Sequence, residues 1–282
     1  MLHLLLACNE PVVPSDVTPP AVQPPKASAA LPAPEVEDTP SDPRLMEMFT
    51  AQQRAAIATQ SARFQAISTA EDFAATFRAS KVMASNLSDS LQRRYEAVQD
   101  SGGFANMDLA WLTPLLPGME EAYFAEGTAL QLVLMPAPWQ ERSALTPEPD
   151  DDAFLAFMAL SYDNPGAVGW PTWNARTWDY GGCSGLGSGV YVETLKAADK
   201  ALVDSALFEA EIMEVRSQLI SDLLATRSTF EWCNPETLEP TPVEALRTEG
   251  QAILQDVNLS AAEKAQLQER IDANFQLKSG GE

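Results

Sequence analysis

Residues 194–230 read "TLKAADKALVDSALFEAEIMEVRSQLISDLLATRSTF" and contain neither glycine nor proline. Leu195, Ala198, Leu202, Phe208, Ile212, Val215, Leu219 and Leu223 recur mostly at spacings of three and four, the period at which side chains share one face of an α-helix. The stretch therefore predicts one long amphipathic helix, the spine of the folded part, and an all-α fold: an irregular helical bundle around one long helix.

The flanking sequence fits helices packed on that spine. Upstream, Phe49, Ile57, Phe64 and Ile67 share a face. After a capping box at Ser68 to Glu71, a second stripe runs through Phe73, Phe77, Ala84, Leu87, Leu91, Tyr95 and Val98. "DSGG" at 100–103 stops it, so the two segments predict an antiparallel helix pair. Residues 119–134, "MEEAYFAEGTALQLVL", fit a third helix or, at their aliphatic end, a short strand. "DDAFLAFMALSY" at 151–162 predicts a short buried helix with carboxylates in its first turn. The same "EPDDD" lacks the glycine and distal glutamate of an EF-hand calcium loop, so its carboxylates read as caps rather than metal ligands. Downstream, Thr241-Pro242-Val243-Glu244 and Ser260-Ala261-Ala262-Glu263 announce two more helices, with Val243, Leu246, Ile253, Val257, Leu267, Ile271 and Phe275 facing inward.

A long aromatic and glycine-rich loop, 163–193, interrupts this pattern. Around it Tyr162, Trp170, Trp173, Trp178 and Tyr180 stand beside Asp163, Asn164, Asn174, Arg176 and Asp179. Ring faces that stack and polar edges that orient are what a sugar- or peptide-binding surface uses, which makes Tyr162, Trp170, Trp173, Arg176, Trp178 and Tyr180 the candidate ligand-binding residues. The competing expectation is that the rings pack down as a lid over the bundle. The G-x-G spacing of "GGCSGLGSG" at 181–189 stands in no visible βαβ unit of the kind a G-x-G-x-x-G phosphate cradle requires, and reads as a turn that lets backbone pass close to the bundle.

Composition removes several chemistries. The chain has 282 residues and a formal net charge of -22, from 40 Asp plus Glu against 18 Lys plus Arg. Such a surface repels phosphate backbones, so nucleic acid is not an expected partner. The only histidine is His3. Triads built on His, Cys-His activation and His-ligated metal sites are therefore excluded from the rest of the chain, and neither a catalytic residue, a metal nor a cofactor is expected. Cys183 has no imidazole to activate it, and an unperturbed thiol is mostly protonated at neutral pH.

The start of the chain, "MLHLLLACNEP", places Leu5-Leu6-Ala7 before Cys8. This resembles the lipobox of bacterial lipoproteins, which implies cleavage before Cys8 and lipidation of its thiol. It departs from that pattern in a short apolar run with no preceding Lys or Arg, which a start further upstream would explain. From Asn9 to Pro43 the chain is rich in Pro, Ala and Val, a composition that favours extended polyproline II over a packed core and would reach roughly 100 Å at most. The expected organisation is a signal peptide at 1–7, a lipidated tether at 8–43 and one helical domain at 44–282. In that family Asn9, rather than aspartate, after the lipidated cysteine implies the outer membrane. Once Cys8 carries lipid, Cys183 and Cys233 remain to pair in an oxidising envelope. They flank the spine. About 32 residues of unbroken helix would hold its ends about 48 Å apart, whereas a disulfide needs Cα atoms within about 7 Å. The pair closes only if the helix breaks or its flanks run back along it.

These features predict a lipid-anchored envelope protein that binds or scaffolds, with the membrane as one partner and an envelope glycan or protein as another. The alternative is a glycan-cleaving enzyme. "NPGAVGWPTW" at 164–173 is similar to the G-A-x-G-L-M-Q element of lytic transglycosylases, which implies a single protonated glutamate as acid. Asp150 to Asp152 stand upstream where that glutamate is expected, with Glu120, Glu121 and Glu126 as distant substitutes.

Overall fold

The structure is a computed structural model, and it describes residues 43–100, 109–124, 129–162, 169–175, 183–225, 232–234 and 237–275. The expectations on Cys8 and the tether, on Glu126, and on Asp163, Asn164, Arg176, Trp178, Asp179 and Tyr180 lie outside them. The described elements are mostly helical and run α1 (Pro43–Met48), α2 (Ala51–Gln65), α3 (Ala70–Asp100), β1 (Met119–Phe124), β2 (Ala129–Leu134), α4 (Pro136–Ser143), α5 (Asp150–Tyr162), β3 (Asn174–Ala175), β4 (Cys183–Ser184), α6 (Val190–Asp204), α7 (Glu209–Leu224), α8 (Val243–Asp256) and α9 (Ala261–Asp272).

The expected spine is not one helix. It divides at Ser205, whose N–H still bonds Ala201 O at 2.9 Å but whose backbone leaves the helical region at φ -138°, ψ 73°. Ser205 Oγ donates to Asp150 O (2.5 Å), and a 3-10 turn, Ala206–Phe208, turns the chain into α7. The physical cause is tertiary. Phe208 is fully buried and stacks on Phe154 of α5 with ring centroids 4.2 Å apart and planes 4° from parallel, a contact an unbroken helix would forgo. Helix α6 also starts earlier than expected, at Val190, and packs against α5, α7 and α8.

The longest described helix is α3, 31 residues. Its predicted stripe is buried from Phe73 to Tyr95, but its cap is Thr69 rather than Ser68: Thr69 Oγ1 accepts from Asp72 N at 3.1 Å, and Glu148 Oε2, far along the chain, accepts from Ala70 N at 3.0 Å. Helix α2 opens on a capping box between Thr50 and Gln53, and its buried Gln60 donates to Thr76 O (3.0 Å) and Ser80 Oγ (2.6 Å), tying α2 to α3. The open reading at 119–134 resolves as an antiparallel hairpin, β1 with β2, laid on α3.

The apolar faces form two main clusters that share α3. Phe73, Ala74 and Phe77 join a larger one with Trp139, Phe154, Trp173, Trp232 and the inner faces of α6 to α9. Met83, Ala84, Leu87, Leu91 and Tyr95 join a smaller one with α1, α2 and the hairpin. In α8 and α9 the predicted inward residues are buried except Val243, which is 38% exposed because the helix begins there, with Pro242 at its N-cap. The Ser260–Glu263 box forms as expected.

Candidate functional site

The aromatic loop enters the structure at the end of α5. Thr172 N–H donates to Ser161 O (2.8 Å) and its hydroxyl to Leu160 O (2.7 Å), which folds the returning chain onto the helix C-terminus. Trp173 then turns inward. It is fully buried, its Nε1–H donates to Asp222 Oδ2 of α7 at 3.0 Å, and Gln218 Nε2 donates to the other carboxylate oxygen at 3.1 Å. A ring closed off in this way offers no face to a ligand, so Trp173 is a plug, as the lid expectation had it. Tyr162 lies against it with centroids 6.0 Å apart. Burial pushes the Tyr162 hydroxyl up to about 12, and the charges of Glu214 and Asp222 add to the rise. Trp170 is half-buried. Of the candidate ligand residues, the structure thus brings Tyr162 and Trp173 together as packing.

The glycine run has a different role. Cys183 and Cys233 stand with Cα atoms 5.6 Å apart, in disulfide geometry, across a loop of 50 residues. The break at Ser205 lets α6 and α7 fold back on each other, which is how the flanks of the expected spine meet. Cys233 N–H bonds Ser184 O at 3.0 Å and Ser184 bridges Trp232, so the bond sits in a small buried knot of backbone pairs. Beyond it, Gly187 and Gly189 adopt φ of 95° and 94°, a left-handed conformation that costs glycine little. At Gly187 a Cβ would also come within 2.3 Å of Thr241 Cγ2.

This loop is an anion cradle filled from within. Glu249 of α8, 4% exposed, accepts from the backbone N–H groups of Gly187, Gly189 (3.0 Å) and Val192 (3.0 Å). Three donors at the positive end of α6 on one carboxylate reproduce the physics of a phosphate site. The occupant is the protein's own side chain. Sequence reasoning missed Glu249, although a signal exists: it sits in the apolar stripe Leu246, Gly250, Ile253, where a charge must find partners.

A second polar knot, around the buried Arg216, joins α6, α7 and the α8–α9 turn. Arg216 Nε donates to Asp199 Oδ1 (2.9 Å) and its Nη2 to Asn258 O (2.5 Å), while Asn258 N–H donates to Asp199 Oδ2 (2.7 Å).

Glycan cleavage by the alternative mechanism requires a carboxyl of raised pKa facing an open apolar cleft beside the tryptophans. Burial pushes the Asp151 carboxyl up, with the Asp152 charge adding to it. Asp151 is completely enclosed, however, and its Oδ2 accepts from Thr146 Oγ1 at 2.7 Å. Asp150 and Asp152 are engaged with Leu207 N and Ser143 Oγ, and Glu120 and Glu121 lie on β1. A shallow cleft of about 160 Å³ is lined by Arg44, Glu47, Met48, Arg94, Leu109 and Trp111. The Arg44 guanidinium covers the Trp111 ring at 4.4 Å and Arg94 pairs with Glu47. Among the described residues no group of three His, Cys, Asp or Glu side chains could hold a metal ion, and no helix is long and apolar enough to cross a membrane. No protein-family model, curated protein or solved structure matches the chain.

Proposed function

We propose that the protein is a lipid-anchored component of the bacterial cell envelope, held through Cys8 and the proline-rich stretch 9–43, and that it acts by binding or scaffolding rather than by turning over a substrate. The observation that carries this reading is the meeting of Cys183 and Cys233 at 5.6 Å. A buried disulfide of that geometry belongs to an oxidising compartment, and the sequence "LLAC" ahead of a long Pro-rich segment supplies a route there and an anchor. With His3 the only histidine, the folded part lacks the usual proton shuttle of hydrolases. Its most enclosed carboxylates, Glu249, Asp222 and Asp151, are tied to backbone or neighbouring side chains rather than turned to solvent.

The test is metabolic labelling of the chain, expressed with its native upstream sequence in a bacterial host, with a fatty-acid analogue. The wild type is expected to carry label and to sediment with membranes, and Cys8→Ser to lose both. Label retained in Cys8→Ser overturns the reading.

A further inference from the structure

The hairpin on α3 has two unlike edges. The outer edge of β2 is closed by side chains of α3: Leu130 N–H donates to Gln92 Oε1 (2.6 Å) and Leu132 N–H to Ser88 Oγ (2.8 Å). On the other side, the register Glu120↔Val133 and Ala122↔Gln131, with Met135 N–H bonded to Gly118 O at 3.1 Å, puts the even-numbered residues of β1 into the ladder. The odd-numbered residues Glu121 and Tyr123 therefore aim their N–H and C=O groups away from β2. Among the described residues the sheet has two strands, and no hydrogen bond reaches the backbone of Glu121 or Tyr123. Met119 N–H, one step earlier, is already satisfied by Leu116 O at 3.1 Å.

An edge strand with unpaired backbone groups is a template for another strand, and proteins usually blunt it. Here the flanking charges select what can add. In antiparallel pairing of two copies about Glu121, each Glu121 would face its own kind, a like-charge opposition that destabilises a sheet pair. The stretch 9–43 of the chain itself is a poor occupant, since its prolines lack donors and it carries Glu10, Asp16, Glu35, Glu37, Asp38 and Asp42 against one Lys26. With Glu120 and Glu121 on opposite faces of β1 and a net charge of -22 behind them, the complementary occupant is cationic.

We propose that the open edge of β1 is a docking strand for an extended, lysine- or arginine-bearing segment of a partner protein, which adds as a third strand with its basic side chains against Glu120 and Glu121. Backbone bonds to Glu121 and Tyr123 supply attachment, and the glutamates supply register and selectivity. This deepens the binding role proposed above and rests on it. Fatty-acid labelling reads the anchor separately, so the edge and the anchor fail by different results.

The probe is a short synthetic peptide of adjacent lysine pairs between valines, which sets lysines on both faces of an added strand, titrated into the full chain, with amide hydrogen exchange read at Glu121 and Tyr123. Both amides are expected to gain protection, and a matched peptide with glutamate in place of each lysine to give none. Glu121→Pro removes the outward donor and leaves the ladder to β2 intact, so binding is expected to weaken about tenfold. Glu121→Lys keeps the donor, is expected to weaken the lysine peptide about tenfold and to admit the glutamate peptide, and decides the matter if the proline variant does not fold. Peptide that protects neither amide, a folded Glu121→Pro variant that binds as the wild type does, or a Glu121→Lys variant with unchanged preference overturns the proposal. Protection of the same amides by self-association without peptide overturns it in favour of a second copy.

Discussion

Replacing Glu249 with glutamine tests the most consequential interaction that the sequence did not announce. The substitution keeps the length, the volume and the helix propensity of the side chain, so its effect reads the charge and the second acceptor oxygen. In the native chain one oxygen accepts from Gly187 and Gly189 and the other from Val192. A glutamine has one carbonyl oxygen, so at least one of these backbone donors faces an N–H₂ group instead. Hydrogen bonds to a charged group contribute about 1.5–3 kcal/mol each, and an orphaned buried donor costs a similar amount, so the expected loss is about 2–4 kcal/mol rather than the sum of three bonds. The anion's interaction with the N-terminus of α6 adds up to about 1 kcal/mol of the same sign. Urea denaturation followed by fluorescence suits the measurement, because Trp139, Trp173 and Trp232 are all fully buried and report loss of the core. A stability within about 0.5 kcal/mol of wild type, the range of an inconsequential surface change, would refute the cradle as a stabilising element.

Cys183 and Cys233 are expected to resist alkylation in native protein until reduced, and their reduction to cost roughly 4 kcal/mol for a loop of 50 residues; two freely reacting thiols in protein isolated from its native compartment would count against the pairing. Trp173→Phe removes one donor to the buried Asp222 carboxylate, a hydrogen bond to a charged group, so about 1–3 kcal/mol of stability should be lost, while docking of the lysine peptide at β1 stays unchanged. Asp151→Asn is expected to flatten one component of the pH profile. Burial raises the Asp151 carboxyl above its unfolded value, so between the two values the folded state binds more protons and gains stability as pH falls. Above both, the cost of the enclosed charge is constant and full. The difference between variant and wild type, followed by urea denaturation from neutral pH down through the carboxylate range, should therefore favour Asp151→Asn most at neutral pH and shrink on acidification; a difference that grows on acidification would reverse the assignment.

What was legible in the sequence is what local physics decides, and what was not is what distant partners decide. The stripes of α2, α3, α8 and α9 could be read because an amphipathic helix shows its buried face at a fixed period, and the Ser260–Glu263 box because both its partners lie within one turn. The break at Ser205 carried only a faint mark. No glycine or proline stands there, and the one trace is that the apolar spacing lengthens to six between Leu202 and Phe208. The break is set by the stacking of Phe208 on Phe154 and the bond from Ser205 to Asp150 O, partners more than fifty residues away in the chain. The same displacement explains why Ser68 was the expected cap of α3 while Thr69 and Glu148 perform it, and why Trp173 read as a contact surface. A tryptophan in a polar loop looks exposed until its indole N–H is seen to have a buried carboxylate waiting on another helix. Glu249, Arg216 and Asp222 point to a sharper reading of such chains. Each is a charged residue standing within the apolar face of its helix, where an unpartnered charge would be too costly to keep. Each proves to hold a segment that the periodicity could not place: the glycine loop at Glu249, the α8–α9 turn at Arg216 and the aromatic loop at Asp222. A charge that violates a helix stripe thus marks where a loop returns to the core, and in this chain it locates the loops better than their own sequences do.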